Sequence, residues 1–231
     1  MNLADETKMT TETNVLDLGL RDYSEVLGLQ RKLVELRVRK LIPDTLLIVE
    51  HPHVFTVGKA VSGEIPNQVD GVPVFRIERG GQWTYHGPGQ LVGYPILDLN
   101  LRGRDIHGFL RAIEETLILS LRDFGIMGER GEQTGVWIDK RKIASIGAAI
   151  RNWTSFHGFA LNVNTNLDYF QKISPCGFHW STMTSMKAEL RHQVSLGLVK
   201  ESVLNGFEKA FYVKLTRVGI DSVQTTIANM P

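Results

Sequence analysis

Arg79-Gly-Gly-Gln-Trp-Thr-Tyr-His-Gly-Pro-Gly-Gln90 gathers more chemically able residues than any other stretch of this 231-residue chain. Arg79 brings a fixed cationic fork, and His86 can donate, accept or titrate near neutrality. Gly80 and Gly81 let backbone approach a ligand closely, and the Pro-Gly that follows forces a turn. The flanks, Val72 to Ile77 and Leu91 to Leu97, read as strands, so the segment resembles a polar binding loop set into a sheet, or else two tight surface turns. Cys176, the single cysteine, lies in Ile173-Ser-Pro-Cys-Gly-Phe178. A proline and a glycine beside it argue against the interior of a helix or strand, which leaves a nucleophile or a spectator thiol. A thiol of pKa about 8.5 needs a neighbouring cation or base to attack at neutral pH. Lys142, His86, His157 and His179 are the candidates. Lys142 heads the small and apolar run Ile143 to Ile150, where by itself it reads as an edge residue.

Composition bounds the rest. A 42% apolar, 22% charged chain of net charge +1 can bury a core and carries no strong general attraction for nucleic acid. No apolar run reaches the roughly 18 to 20 residues of a membrane span, and Met1 to Asn14 lacks the layout of a signal peptide. One cysteine excludes an intrachain disulfide and a cysteine-rich metal site, and makes a reducing cytoplasmic setting the default. His51 and His53 flank a proline without a matching third ligand, so no metal site is expected. Neither a Walker A sequence nor a GxGxxG fingerprint is present. The basic clusters Arg102/Arg104, Lys140-Arg141-Lys142 and Lys187/Arg191 are solvated faces or a docking patch for an acidic protein.

The elements that must position these residues follow from periodicity. Asp22-Tyr-Ser-Glu25 resembles a capping box ahead of a helix over about Tyr23 to Arg39. Thr45 to Glu50 is continuously apolar enough for a central strand, and His51 to Gly58 returns as a turn and strand. Asp105 caps a second helix that stops at Gly125. Strands follow over Gly135 to Ile138, Lys142 to Ile150 and Phe156 to Val163, with turns at Asp139-Lys140 and Asn152-Trp-Thr. Asn162 to Asp168 reads as a loop and Lys200 to Phe211 as the last helix. Hairpin-spaced strands without strict β-α alternation predict an α+β fold, a mixed sheet with packed helices. A disordered tail over 1–14 and a single domain over 15–231 are expected.

Taken in order, Glu50-His-Pro-x-Val-Phe-Thr-x-Gly58, the Arg79 to Gln90 loop, Gly135-Val-Trp, Lys142-Ile-Ala-Ser-Ile-Gly147, His157-Gly-Phe-Ala-Leu-Asn162 and Ile173-x-Pro-Cys-Gly177 form a specific set. From about Leu46 to Gly177 the chain resembles the octanoyltransferase family of lipoate biosynthesis (lipoyl/octanoyl-ACP:protein transferases). The resemblance implies the catalytic-module fold of biotin and lipoate protein ligases, and no cofactor. It implies that Cys176 takes octanoyl from octanoyl-acyl carrier protein as a thioester. Lys142 would assist, as an ammonium that lowers the thiol pKa or as a base. The acceptor would be the lysine of an apo lipoyl domain, in 2-oxoacid dehydrogenases or the glycine cleavage H protein, with no nucleic acid or membrane partner. Arg79, Gly80, Gly81, Gln82, Trp83, Thr84, Tyr85 and His86 would line the substrate, with Thr84 and His86 to orient or stabilise the tetrahedral oxyanion. Ser145, Ile146, Gly147, Gly158, Phe159 and Ala160 would wall an alkyl slot. At about 0.8 kcal/mol per buried methylene, seven or so would contribute on the order of 5 kcal/mol. Lys140, Arg141 and Arg104 are the candidates for the surface that meets the carrier. The rivals are an ATP-dependent lipoate or biotin ligase, which would need a longer glycine-rich phosphate loop and no Pro-Cys-Gly nucleophile, and a non-catalytic lipoyl-domain binder.

Overall fold

A computed structural model describes residues 11–173, 182–221 and 225. Among them an eight-stranded sheet runs in the order β12 (Val213–Arg217), β1 (Thr11–Leu20), β2 (Asp44–Glu50), β7 (Gln90–Ile96), β11 (Thr154–Asn162), β10 (Arg141–Arg151), β9 (Gly135–Ile138) and β8 (Glu129–Arg130). The pairings of β1 with β12 and β2 are parallel and the rest antiparallel, so the sheet is mixed. A four-stranded sheet, β4 (Gln68–Val69), β5 (Val72–Arg76), β3 (Val54–Val57) and β6 (Trp83–His86), carries the glycine-rich loop.

Strand alternation divides the core. On β2, Leu46 and Ile48 turn toward the cluster containing Phe109, Leu117, Val203 and Phe207, which come from α2 (Ile106–Arg122) and α4 (Leu196–Phe211). Leu47 and Val49 turn the other way, onto Val26, Leu33 and Leu36 of α1 (Tyr23–Val38). A strand buried on both faces has no polar side to show, which is why Thr45 to Glu50 reads as an apolar run. The β10–β11 hairpin closes through Asn152 and Trp153, both at positive φ (49° and 59°), the backbone that a two-residue type I′ turn demands.

Several boundaries differ from the sequence reading. Thr11 to Asn14 are not tail but the start of β1, paired along β12 throughout and with β2 from Thr13 on; the remainder of the expected tail, 1–10, lies outside the described residues. β-branched Thr and Val suit such a doubly paired strand, and the polar Thr-rich composition disguised it. Asp22 stands at the N-cap of α1 but its side chain makes no cap bond. The neighbouring amide of Arg21 instead donates to the carbonyl of Glu50 at 2.9 Å and fixes the start of the helix. Asn162 closes β11 rather than opening a loop, and Leu167–Lys172 forms a 3-10 turn. The last helix starts at Leu196, one turn early, after Ser195. No helix among the described residues is long and apolar enough to cross a membrane.

Asp44, fully buried at the start of β2, ties the layers together. Its carboxylate accepts from Arg37 Nε (2.7 Å), Arg102 Nη2 (3.1 Å) and the Asp98 amide (2.9 Å). Removing one member of such a cluster leaves buried charge uncompensated. Asp44→Ala should lower the unfolding free energy by about 3–5 kcal/mol, read from urea denaturation; a loss below about 1 kcal/mol, the level of an exposed pair, would contradict this role.

Candidate active site

Alternation on β6 sorts the glycine-rich segment into two environments. Thr84 and His86 face a cavity where the two sheets meet, whereas Trp83 and Tyr85 turn into an aromatic cluster with Phe55 and Phe170. Arg79, Tyr23, Tyr94, Ser145 to Gly147 and His157 to Ala160 complete the cavity, which encloses about 30 Å³, room for a water-sized group. The structure thus brings together Arg79, Thr84, His86, Ser145, Ile146, Gly147, Gly158, Phe159 and Ala160. It does not bring Trp83 or Tyr85 to them. Gly80, Gly81 and Gln82 line an adjoining open groove of about 510 Å³ with Lys142, Ile106, Leu110 and Ile150. Ile146 and Gly147 belong to both walls, so β10 is the partition between groove and cavity.

Arg79 anchors its own loop. Its guanidinium donates to the carbonyls of Gly80 and Thr56 and to Thr56 Oγ1, each at 3.0 Å. Gly158 is required by close approach, since a Cβ there would stand 2.2 Å from the Gly93 carbonyl oxygen on β7. Thr84 Oγ1 is buried with no hydrogen-bond partner among the described residues, a hydroxyl left available to a bound group.

The protonation of His86 is fixed by the groups behind it. Gln90 Nε2 lies 3.1 Å from the Tyr85 carbonyl and 2.9 Å from Asn162 Oδ1, and Asn162 Nδ2 lies 3.0 Å from the Thr184 carbonyl. Carbonyls only accept, so both amides have one allowed orientation. Gln90 Oε1 therefore faces His86 Nδ1 at 2.8 Å and must accept from it. His86 is the Nδ1–H tautomer, and its Nε2 carries a lone pair. Burial pushes its pKa down to about 3, so it is neutral at physiological pH. Such a ring accepts a proton or hydrogen bond at Nε2 and has no proton there to donate, which leaves it the orienting or accepting part of the expected role; Thr84 keeps its donor.

Two more histidines are held neutral by burial. His51 is pushed down to about 4; its Nδ1 donates to the Arg21 carbonyl (2.7 Å) and its Nε2 accepts from the Tyr94 hydroxyl (2.9 Å). His157 is also pushed down to about 4, although Glu78, 3.6 Å away, favours its charged form. His157 sits at φ +55° inside β11, a strained conformation for a non-glycine residue, with its amide donating to Gln30 Oε1 at 2.8 Å. His53 is engaged elsewhere, 2.7 Å from the Tyr85 hydroxyl and stacked on Tyr169. Of the expected docking cations, Arg141 pairs with Glu189 and Arg104 lies 5.2 Å over the Trp153 ring.

Lys142 is 2% exposed at the floor of the groove. A bulge at Ile143 offsets β10 against β9 here: Lys142 pairs with Trp137, but Ala144 already with Val136. Bulges re-aim the neighbouring side chain, and Lys142 Nζ lies 5.1 Å from the Trp137 ring centroid. Its carbonyl accepts from the Thr184 amide at 3.0 Å, beside an isolated bridge to Met183. Cys176 falls in 174–181, outside the described residues. Tyr23, Tyr94, Gln90 and Asn162 were missed as site residues. Strand parity alone could have found Tyr94, on the same face as Val92 and Ile96.

The family model described as the lipoyl protein ligase A/B catalytic domain matches residues 22–208. An octanoyltransferase from Syntrophotalea carbinolica is 47% identical over 196 residues, 84% of this chain and 92% of its own length. One from Geotalea uraniireducens is 46% identical over 84% of this chain and 91% of its own. The bi-partite lipoate protein ligase structure from Thermoplasma acidophilum superposes with a TM-score of 0.70 at 20% identity, covering 94% of this chain and 91% of that one, which establishes the shared fold.

The three neutral histidines make stability depend on pH in a definite direction. Their folded pKa values lie below the unfolded value of 6.5, so the unfolded chain binds protons first as pH falls. Their contribution is complete above about pH 6.5 and drains toward about pH 4 for His51 and His157 and about pH 3 for His86, on the order of 2 kcal/mol per histidine at about pH 5. Urea unfolding at about pH 7.5 and about pH 5 should show this loss; equal unfolding free energies would contradict it.

Proposed function

The chain belongs to the lipoyl protein ligase A/B catalytic-domain family and is an octanoyltransferase, and from that premise we propose that it works through a Cys176 thioester assisted by Lys142. In the first half-reaction Cys176 Sγ attacks the thioester carbonyl of octanoyl-acyl carrier protein. The tetrahedral intermediate collapses, expels the carrier thiolate and leaves octanoyl on Cys176. In the second, the ε-amine of an apo lipoyl-domain lysine attacks that thioester, the amide forms, and the Cys176 thiolate departs and regains a proton. Thioester exchange is nearly energy-neutral and aminolysis of a thioester runs downhill, so no ATP enters the balance. The acceptors on this reading are the lipoyl domains of 2-oxoacid dehydrogenases and the glycine cleavage H protein, in the cytoplasm.

The observation that carries the reading is the seating of Lys142. It is a buried lysine, paired with Trp137 just before the bulge at Ile143, at the floor of an open groove. Its backbone is bonded to Thr184, eight positions beyond Cys176 in the chain. A lysine beside a thiol stabilises the thiolate by charge or takes its proton. Ile146 and Gly147 would guide the acyl chain, with the Thr84 hydroxyl as donor to the developing oxyanion. The Arg79 to Ala160 wall would serve as substrate-binding surface on the same basis.

Intact-protein mass spectrometry after mixing with octanoyl-acyl carrier protein, without ATP, tests this. Wild type should carry a hydroxylamine-labile octanoyl adduct that an apo lipoyl domain discharges, and Cys176→Ser should carry none. Acylation of the domain only when ATP is present would contradict the transferase mechanism and favour a ligase.

A further inference from the structure

Resting on the Cys/Lys reading, we propose that Gly135 and Glu114 are positioning residues that set where the Lys142 side chain lies. Gly135 starts β9 at φ +141° and pairs with Ser145, so it faces β10 just past the bulge. A Cβ at Gly135 would stand 2.5 Å from Lys142 Cε and 3.2 Å from Nζ, and 2.7 Å from the Ala144 carbonyl oxygen. The bare backbone of Gly135 is therefore one wall of the lysine's slot, and the Trp137 ring is another. Any larger residue must push the amine away or break the strand pair.

A wall positions only if it is itself held. The Gly135 amide donates at 3.1 Å to Glu114 Oε1, a carboxylate on α2 with 2% exposure. Glu114 Oε2 in turn takes Arg111 Nη1 at 2.8 Å and Arg130 Nε at 3.3 Å. Both arginines are well exposed, so the carboxylate is tethered from the solvent side and presents its inner oxygen to Gly135. Helix α2 thus reaches Lys142 through one hydrogen bond and one glycine, touching no reacting atom.

The test uses full-length Gly135→Ala, Glu114→Ala, Glu114→Gln and Lys142→Ala, each checked by circular dichroism. Two quantities are followed: the pH profile of Cys176 alkylation by iodoacetamide, and kcat against KM with octanoyl-acyl carrier protein. Lys142→Ala should slow neutral-pH alkylation at least about tenfold and move the profile to higher pH. Gly135→Ala and Glu114→Ala should reproduce that shift, lowering kcat about tenfold while KM stays within about twofold. Glu114→Gln keeps an oxygen for the Gly135 amide and should recover most of the rate. A Lys142→Ala shift with wild-type profiles in Glu114→Ala and folded Gly135→Ala would overturn the positioning role alone. An unshifted Lys142→Ala profile would remove the Cys/Lys reading and this proposal with it. Where Gly135→Ala does not fold, the contrast between Glu114→Ala and Glu114→Gln decides.

Discussion

A single line of hydrogen bonds crosses the molecule from the cavity to the lysine: His86 to Gln90, Gln90 to Asn162, Asn162 to the Thr184 carbonyl, and the Thr184 amide to Lys142. Each link joins a different element: β6 in the small sheet, β7 and β11 in the large one, the chain after 174–181, and β10. Its direction is imposed by backbone carbonyls at Tyr85 and Thr184, which cannot donate, so no amide along it can flip without losing a buried bond. An unmade buried hydrogen bond costs about 1–3 kcal/mol, and a shared network raises the stake further. The line therefore fixes the tautomer at one end and the lodging of the lysine strand at the other.

The rest of the architecture serves that line. Adjacency of β7, β11 and β10 in the large sheet puts Gln90 opposite Asn162 and sets the wall at Ile146 and Gly147. The small sheet closes the cavity from above through Thr84 and His86, with Arg79 stitching its loop to β3 through Thr56. Burial does the electrostatic work, keeping His86 and His157 uncharged at the cavity wall and His51 uncharged behind it. The bulge at Ile143 gives the lysine a direction that a regular strand would not.

Much of this was legible in the sequence, and the limits have physical causes. Apolar runs found β2, β7, β10 and β11, because strands with buried faces have little freedom in composition. The Asp105 cap and the stop at Gly125 located α2, whose Asp105 side chain accepts from the Gly108 amide. β1 was hidden because a Thr-rich strand between parallel neighbours draws its order from pairing rather than from hydrophobicity. The segment from Arg79 to His86 stood out as a candidate binding loop, but its division into cavity, groove and aromatic cluster depends on strand parity and on a second sheet that periodicity did not announce. The tautomer of His86, which decides whether it donates or accepts, was not legible for a longer-range reason: it is dictated by Asn162, seventy-six positions away in the chain. The tightness of Gly135 against Lys142 depends likewise on a bulge, which no local pattern encodes.

The measurement that bears most directly on this account is the ¹⁵N signature of the His86 ring, from long-range proton–nitrogen correlation in protein labelled at histidine. The hydrogen-bond line requires a protonated Nδ1 and an unprotonated Nε2, unchanged from neutral pH down to about pH 5. A proton on Nε2, or an imidazolium forming near pH 6.5, would show that the line does not run as described and that His86 is not held neutral.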